Sequence, residues 1–368
     1  MIAEAITWRP DGVSIAWENG HVSEYAPVWL RDNDPVNRDP RTGQRLIDVT
    51  GLPLDLALNG VREDGATLHL AWADGNASAF QLDWLYQNCP CPAHADQSLA
   101  RRWQASEKQI LRRFDYTGIR ESSALRLEWL ETVATWGIAF LSSVPVEEGR
   151  VLEVAALVGW VRETNYGRLF DVRSVPDPNN LAYTNRQLGL HTDNPYRDPV
   201  PGLQILHCLR AGREGGASLF TDGFAVAEAL RAEDPEAFNI LASSPVQFAF
   251  SDAKASLTAE RPIVERNRDW VVEAVHYNSR SIAPLRMAAG KIVSFYRAYT
   301  AFARLLMDPR FVLTTSLADG ELVIFNNRRV LHGRTAFSSA DPRHLQGCYV
   351  DQDGLLSQIA ILKRNGHR

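Results

Sequence analysis

The chain has 368 residues, of which 45% are hydrophobic, and it carries a formal net charge of -5. These values fit a large globular protein with an ample core, and the absence of a basic field argues against a nucleic-acid partner. Because no apolar stretch is long enough to span a bilayer and the N-terminus does not resemble a secretory signal, we expect a cytoplasmic protein with no membrane partner.

The first 95 residues contain an internal repeat. Residues 17–33 align without a gap with residues 72–88, and the two copies share Trp, Gly, Ser, an aromatic residue, Trp-Leu and Asn. Each copy predicts a strand, a turn, a second strand and then a loop, which is the pattern of a β-hairpin. We therefore predict a small N-terminal β domain of two equivalent hairpins at 1–95, followed by a polar helical connector at 96–120.

The remaining residues, 121–368, predict a larger domain in which short strands outnumber helices. Helices are expected at 124–136, ended by Gly137, at 151–163, at 224–243 with a break near Pro235, and at 291–307. Strands are expected at 138–144, 203–209, 218–221, 246–250, 270–277, 311–317, 321–325 and 344–350. This mostly β pattern with flanking helices favours a double-stranded β-helix, or jelly roll, over a doubly wound sheet.

Three residues of this domain have the chemistry of a metal site. His191 and Asp193 are two residues apart at the end of an expected strand, so both side chains can reach one ion, and His332 is followed by the small Gly333. Two imidazoles and one carboxylate on one face of a metal form the facial triad of non-haem Fe(II) oxygenases. Taken alone, a His-x-Asp pair is more often a surface turn and a lone histidine a packed core residue.

Arg343 makes the metal interpretation the stronger one. It follows His332 by eleven residues, and the turn signals at 338–342 predict that its strand folds back beside the strand of His332. A guanidinium binds a carboxylate through two hydrogen bonds, which suits the distal carboxylate of 2-oxoglutarate. Ser218 is a second candidate for this co-substrate, although a serine on a strand is more often paired only with backbone.

Together these residues resemble the taurine dioxygenase superfamily of Fe(II)/2-oxoglutarate oxygenases. The N-terminal repeat and the segments 28–33, 180–184, 204–208 and 343–347 narrow the resemblance to the γ-butyrobetaine hydroxylase branch. The resemblance implies that O2 and 2-oxoglutarate are consumed while a C–H bond of a small-molecule substrate is hydroxylated. It implies that His191, Asp193 and His332 bind Fe(II) and that Arg343 binds 2-oxoglutarate. Members are often homodimers, although no apolar stripe in this chain indicates one.

The resemblance also implies a zinc site in the N-terminal domain. In the family, three ligand positions follow the first Trp-Leu and the fourth is a histidine in the second hairpin. Here these positions hold residues that make a poor zinc set: Asp34, Val36, Asp39 and Asn76. Cysteine and histidine residues stand instead at the positions exchanged between the two copies, with Cys89, Cys91 and His94 after the second Trp-Leu and His21 in the first hairpin. We therefore expect a structural Zn(II) bound by His21, Cys89, Cys91 and His94. The alternative is a pair of reduced buried thiols, since a disulfide between cysteines so close in sequence would be strained.

By the same resemblance, the substrate carries a quaternary ammonium group that is held by aromatic rings. A trimethylammonium group cannot donate a hydrogen bond, but aromatic faces attract it. The matching aromatic positions are Tyr166, Phe170, Tyr183 and Tyr349, and Phe170 stands where the family usually has Trp. The anionic end of the substrate should meet Asn180, Asn278 and, if its side chain points inward, Arg280.

Two substrates remain open at this point. One is γ-butyrobetaine, which would give carnitine, and the other is 2-(trimethylammonio)ethylphosphonate, which would be hydroxylated next to the phosphonate. Arg280 and Phe170 favour the phosphonate slightly, since a second full positive charge suits a dianion. Remote alternatives are a non-catalytic jelly-roll binding protein with a structural metal and a redox-neutral, cupin-like isomerase.

Overall fold

The structure, a computed structural model, describes residues 1–91, 100–173, 184, 186–212, 215–338 and 343–366. The chain divides into two compact units, Met1–Ser98 and Leu99–Arg368. Among the helices in these described ranges, none combines the length and the apolar character needed to cross a lipid bilayer.

The first unit contains two sheets with the same strand order. Its strands are β1 (Ala3–Arg9), β2 (Gly12–Trp17), β3 (Val22–Tyr25), β4 (Leu58–Asp64), β5 (Thr67–Trp72) and β6 (Ala77–Gln81). They form the sheets β1-β2-β3 and β4-β5-β6, each followed by a short helix, α1 (Pro27–Asp32) or α2 (Leu82–Gln87). Each sheet therefore has one strand more than the predicted two-stranded hairpin. The additional strands, β1 and β4, were not predicted because each has at most one buried residue and so shows no apolar alternation.

The same side-chain hydrogen bond occurs within each copy of the repeat. The indole Nε1 of Trp17 donates to Ser23 Oγ at 2.8 Å, and that of Trp72 donates to Ser78 Oγ at 2.7 Å. All four residues are buried. A buried indole N–H needs a partner, which gives a physical reason for the Trp and Ser that the two sequence copies share.

Among the residues that the structure describes, the helical connector predicted at 96–120 is α-helical only at its C-terminal end. Residues 100–107 contain no helix, and a single 3-10 turn, Lys108–Leu111, leads into β7 (Arg113–Asp115) and α3 (Tyr116–Glu121). Trp103 and Ile110 are buried in this segment. The segment is polar on average, but a few widely spaced apolar residues pack into the core. Its average polarity therefore did not predict its secondary structure.

The second unit is built on two facing sheets. Its further strands are β8 (Ile138–Ser142), β9 (Val161–Arg162), β10 (Phe170–Arg173), β11 (Leu188–His191), β12 (Leu203–Arg210), β13 (Ser218–Asp222), β14 (Val246–Ser251), β15 (Ser256–Arg261), β16 (Val264–Arg266), β17 (Val272–Val275), β18 (Leu313–Thr315), β19 (Leu322–Asn326), β20 (Val330–Arg334) and β21 (His344–Val350). The larger sheet has the order β10-β21-β12-β19-β8-β7 with β9 beside β21, and the smaller has the order β11-β20-β13-β18. The pairs β14-β15 and β16-β17 stand apart.

Apolar side chains from both sheets fill the space between them. Phe140 and Phe325 of the larger sheet and Phe220 of the smaller one belong to a single buried cluster. The rings of Phe140 and Phe220 lie 6.1 Å apart, edge to face. Two sheets that pack in this way, antiparallel except for the pairing of β7 with β8, form the jelly roll that the strand pattern predicts.

The helices of the second unit lie outside this sandwich. They are α4 (Ser123–Trp136), α5 (Arg150–Ala156), α6 (Gly223–Glu233), α7 (Pro235–Ser243), α8 (Ala289–Leu306) and α9 (Gln352–Gly366). Gly137 ends α4 in the left-handed conformation, with φ 74°, and a break precedes Pro235, so both of these predictions are confirmed.

The helix predicted at 151–163 is too long. It ends at Ala156, and the chain then enters β9, which pairs with β21. Gly159 lies in the turn between them, where a Cβ atom would come within 2.8 Å of the Gly354 Cα. The two backbones therefore pass close together just after the helix, and an apolar sequence pattern does not reveal this approach.

Candidate active site

Strand pairing brings the three proposed metal ligands together. His191 of β11 and His332 of β20 are directly paired in the antiparallel ladder, and their ring centroids lie 4.3 Å apart. Asp193 follows just beyond the end of β11. Its Oδ1 is 3.3 Å from His191 Nε2 and its Oδ2 is 3.9 Å from His332 Nε2. One ligand atom from each residue lies within 4.8 Å of the others, which is the spacing of a shared metal ion.

The protonation of these side chains suits a cation. His191 Nδ1 lies 2.9 Å from Gly189 O, which orients its ring with Nε2 toward Asp193. Burial, helped by the neighbouring His191, lowers the pKa of His332 to about 3, which keeps its imidazole neutral. Burial opposes ionisation of Asp193, but His332, His191 and a hydrogen bond from Tyr349 together hold its pKa below the ordinary value. The neutral imidazole of His332 and the carboxylate of Asp193, with His191 Nε2 beside them, can therefore bind a divalent metal.

A cavity of about 420 Å³ opens beside these ligands. The predicted site residues that line it are His191, Asp193, His332, Ser218, Arg343, Tyr166, Phe170, Asn278, Arg280 and Tyr349. The predicted residues Asn180 and Tyr183 lie outside the described residues. The volume fits a small molecule together with a keto diacid.

Arg343 reaches this cavity by a route that differs from the expected one. It precedes β21 in the larger sheet, whereas His332 lies on β20 in the smaller sheet, so the prediction that the two strands lie side by side is wrong. The two sheets instead bring the residues toward the cavity from opposite sides. Arg343 is buried, and a Cβ atom on Gly216 would lie 3.1 Å from its Cδ. Because residue 216 is a glycine, there is room beside it for the aliphatic part of the Arg343 side chain.

Aromatic rings form two groups on the cavity wall. Phe170 and Tyr349 lie 5.0 Å apart. On the other wall Tyr196 stacks on Phe250 at 5.1 Å, and the hydroxyl groups of Tyr196 and Tyr166 lie 3.1 Å apart. Sequence reasoning missed Tyr196 and Phe250. Tyr196 is close enough to Asp193 in sequence to have been a candidate, whereas Phe250 lies on the separate β14-β15 hairpin and carries no local signal.

The polar groups of the cavity are also arranged differently from the prediction. Asn278 Nδ2 donates to Thr192 O at 3.1 Å, so this side chain anchors the segment that carries the ligands. Asn194, which was not predicted, is buried, and its Nδ2 lacks a hydrogen-bond partner among the described residues. Arg280 lines the cavity as an exposed residue, and Arg334, also not predicted, lines it as a buried one.

A second cluster of ligand-type residues lies in the first unit. His21 Nε2 is 3.4 Å from Cys89 Sγ and 3.2 Å from Cys91 Sγ. The two sulfur atoms are bonded to each other, contrary to the expectation from their sequence spacing, because the chain bends there and leaves their Cα atoms 5.5 Å apart. His94, the fourth predicted ligand, lies outside the described residues.

Comparison with known proteins identifies the family. Residues 95–349 match the model of the taurine catabolism dioxygenase TauD, TfdA family. The match covers more than half of the chain. The chain belongs to the TauD, TfdA dioxygenase family.

Relatives of this TauD, TfdA member extend over almost its whole length. It is 39% identical to the γ-butyrobetaine dioxygenase of Pseudomonas sp. strain AK-1, with 96% of this chain and 94% of the relative covered. It is 30% identical to the human γ-butyrobetaine dioxygenase at the same coverage. A solved structure of AAD-2 in complex with Mn(II) and N-oxalylglycine covers 62% of this chain and 89% of that chain, with a TM-score of 0.51 and 14% identity. The family and its relatives make this chain a 2-oxoglutarate-dependent dioxygenase of the γ-butyrobetaine hydroxylase-like branch.

Proposed function

We propose that this dioxygenase uses Fe(II), 2-oxoglutarate and O2 to hydroxylate a C–H bond of a trimethylammonium zwitterion. The observation that carries the proposal is the convergence of His191, Asp193 and His332 on the wall of a cavity that also contains guanidinium groups and aromatic rings. The names of the relatives support a trimethylammonium substrate, since γ-butyrobetaine carries such a group.

The donor set fits Fe(II), with His191, Asp193 and His332 as its ligands. Two imidazoles and one carboxylate leave coordination positions for a co-substrate and for O2. When bound, the iron supplies the activation of O2 that accompanies decarboxylation of 2-oxoglutarate. The guanidinium of Arg343 binds the distal carboxylate of 2-oxoglutarate, and the Ser218 hydroxyl donates a further hydrogen bond to it. Both side chains line the cavity, and neither is exposed to bulk solvent.

Aromatic rings hold the ammonium end of the substrate. Tyr166 and Phe170, together with Tyr183, are the residues first expected there, and Tyr196 and Phe250 extend the aromatic surface. Each contact of a trimethylammonium group with an aromatic face contributes about 0.5 to 2 kcal/mol. Tyr349 lies beside Phe170, but its hydroxyl donates to Asp193, so we propose that the ammonium group contacts its ring and not its hydroxyl.

Positive charge favours a phosphonate at the other end. Arg280, Arg334 and Arg343 all line the cavity. If Arg343 binds 2-oxoglutarate, Arg280 and Arg334 still bring positive charge to the cavity for a dianionic group. A guanidinium pairs well with phosphonate oxygens. Asn278 and Asn180 are proposed as further contacts of the anionic end. We therefore favour 2-(trimethylammonio)ethylphosphonate. The second candidate is γ-butyrobetaine, which the name of the relative with 39% identity supports.

One experiment separates the two candidates. The protein is loaded anaerobically with Fe(II) and 2-oxoglutarate, each zwitterion is added in a separate sample, and O2 is admitted. Mass spectrometry then identifies the hydroxylated product, and succinate is measured in parallel. We expect hydroxylation of both compounds, with the larger kcat/KM for the phosphonate. Succinate formation with taurine and with neither trimethylammonium compound would overturn the proposed substrate class.

We also propose that the N-terminal domain, predicted at 1–95, binds a structural Zn(II). Its ligands would be His21, Cys89 and Cys91, which lie together, and the predicted His94. Reduced cysteines would offer two thiolates to the imidazole, a donor set that zinc prefers. Metal analysis of protein purified under reducing conditions should give one zinc for each chain, and C89S should lose it while retaining the iron site. Wild-type protein without zinc under these conditions would contradict the proposal.

A further inference from the structure

The four-residue turn from β19 to β20, which begins at the last residue of β19, is held by several parts of the second unit. Residues 326–329 read Asn-Asn-Arg-Arg and lead directly into the strand of His332. Their backbone groups bond to four other segments at 2.7 to 2.9 Å: Asn326 N to Gly137 O, Asn327 N to Gly202 O, Val275 N to Arg328 O, and Gly223 N to Arg329 O. A turn that is hydrogen-bonded to so many segments is held rigidly and can fix the positions of the residues around it.

The side chain of Arg329 adds to this rigidity. Its Nε and Nη2 donate to Asp222 Oδ1 at 3.0 Å and to Asp222 Oδ2 at 2.9 Å. Both residues are fully buried, so the charges are paired and hydrogen-bonded inside the core. A buried bidentate pair of this kind fixes both its geometry and the turn that carries it.

The side chain of Asn327 connects the turn to a proposed iron ligand. Its Oδ1 accepts the backbone N–H of Asp193 at 2.7 Å, and its Nδ2 donates to the Asp193 carbonyl oxygen at 2.9 Å. The amide therefore pairs with both backbone groups of Asp193, as a neighbouring β-strand would. Asn327 is completely buried, so the interaction is shielded from water.

The same amide closes the base of the loop that follows Asp193. Asn327 Nδ2 also donates to the Pro201 carbonyl oxygen at 3.1 Å. Asp193 and Pro201 flank residues 194–200, which include Asn194 and Tyr196 on the cavity wall. A single buried side chain thus holds a ligand residue, the base of a substrate-facing loop and the turn that enters the strand of His332.

We propose that Asn327 is a positioning residue that sets the distance and orientation between Asp193 and His332 before metal binds. The proposal rests on the proposed role of Asp193 as an iron ligand. A primary amide is required because it offers one acceptor to the Asp193 N–H and two donors to the carbonyl oxygens of Asp193 and Pro201. Asparagine has the required length, and no other residue of the turn contacts Asp193 among the described hydrogen bonds.

Two variants and a matched control test this role. N327A removes all three hydrogen bonds. N327D keeps the size of the side chain and the acceptor for the Asp193 N–H, but a carboxylate oxygen replaces the amide nitrogen and faces two carbonyl oxygens. We therefore expect the larger effect for N327D. N326A is the control, because Asn326 lies in the same turn and its Oδ1 accepts only from Arg328 N, at 2.9 Å, in the described contacts.

Metal affinity is measured with Co(II) alone, in the full chain, without 2-oxoglutarate or substrate. The Co(II) titration is followed by its visible absorption, which reports the geometry of the ligands. We expect N327A and N327D to weaken Co(II) binding at least about tenfold and to change the spectrum, as substitutions behind metal ligands usually do. We expect N326A to stay within about twofold of the unmodified protein.

Hydrogen exchange of the metal-free protein gives a second readout that does not require the variants to fold. In the unmodified chain the Asp193 amide should be strongly protected, because Asn327 accepts its proton. Fast exchange of this amide in the unmodified protein, or Co(II) affinities of folded N327A and N327D equal to that of N326A, would overturn the proposal. If the unmodified protein binds Co(II) as expected but hydroxylates no trimethylammonium compound, the proposed function fails and the role of Asn327 stands.

Discussion

The hydroxyl of Tyr349 donates a hydrogen bond to Asp193 Oδ2 at 2.8 Å, across 156 residues of sequence. Tyr349 was expected only as an aromatic contact for the substrate. Its ring does lie against Phe170, but its hydroxyl is bound to the carboxylate of a proposed iron ligand. One side chain therefore contacts both a proposed substrate-binding ring and a proposed iron ligand.

The first prediction separates these two roles of Tyr349. Y349F removes the hydroxyl and keeps the ring, so Asp193 loses a charge-assisted hydrogen bond. We expect the Fe(II) concentration for half-maximal activity to rise about tenfold, with a much smaller change in the substrate KM. F170L is the comparison, because Phe170 shares the wall without touching Asp193 in the described contacts. A change in substrate KM alone for Y349F would show that the hydroxyl does not support the metal site.

The second prediction concerns the co-substrate. R343K keeps a positive charge but loses the planar pair of donors that grips a carboxylate. We expect the KM for 2-oxoglutarate to rise about tenfold to one hundredfold, while the substrate KM stays nearly constant. R328K serves as the control, since Arg328 lies outside the cavity lining. Equal 2-oxoglutarate KM values for R343K and the unmodified protein would remove Arg343 from the proposed role.

The third prediction tests the charge at the anionic end of the substrate. R280Q removes one guanidinium from the cavity wall and leaves a shorter, uncharged polar side chain. We expect the ratio of kcat/KM for the phosphonate to that for γ-butyrobetaine to fall about tenfold, because a dianion loses more than a monoanion. The ratio is measured by competition between the two substrates in one reaction. An unchanged ratio would mean that Arg280 does not discriminate between them.

The fourth prediction concerns stability toward acid. His207 is completely buried on β12, and burial lowers its pKa to about 4 from the ordinary value of 6.5. Between these pH values His207 is protonated in the unfolded chain but not in the folded chain. The contribution of His207 to the free energy of unfolding is therefore fully present above pH 6.5 and is lost as the pH falls toward 4. The loss from this residue is on the order of 3 kcal/mol.

Urea unfolding of the metal-free protein at pH 7 and pH 4.5 measures this loss, and H207L supplies the control. Leucine cannot take up a proton, so H207L should lose less stability between the two pH values than the unmodified protein does. The other acid-sensitive groups, including His332, contribute to both proteins and cancel in the comparison. Equal losses in the two proteins would show that His207 is not a source of acid sensitivity.

Local patterns predicted much of this architecture. The glycine after α4 and the proline at the start of α7 mark real helix boundaries, because backbone conformation at these residues depends on the residue itself. Strand periodicity indicated the jelly roll, and the His-x-Asp and distal His pattern indicated three residues that do come together. Local patterns did not predict the end of the helix at Ala156 or the close backbone approach of Gly159 and Gly354 that follows it.

The sequence by itself determined which residues have metal-binding chemistry, because imidazole and carboxylate groups at a given spacing are recognisable without a structure. Only the tertiary structure decided what surrounds them. Three features depend on strand order: the position of Arg343 on the opposite sheet, the hydrogen bond from Tyr349 to Asp193, and the paired hydrogen bonds between Asn327 and Asp193. Strand order is set by packing between segments more than one hundred residues apart, and the periodicity of a single segment carries no information about its distant neighbour.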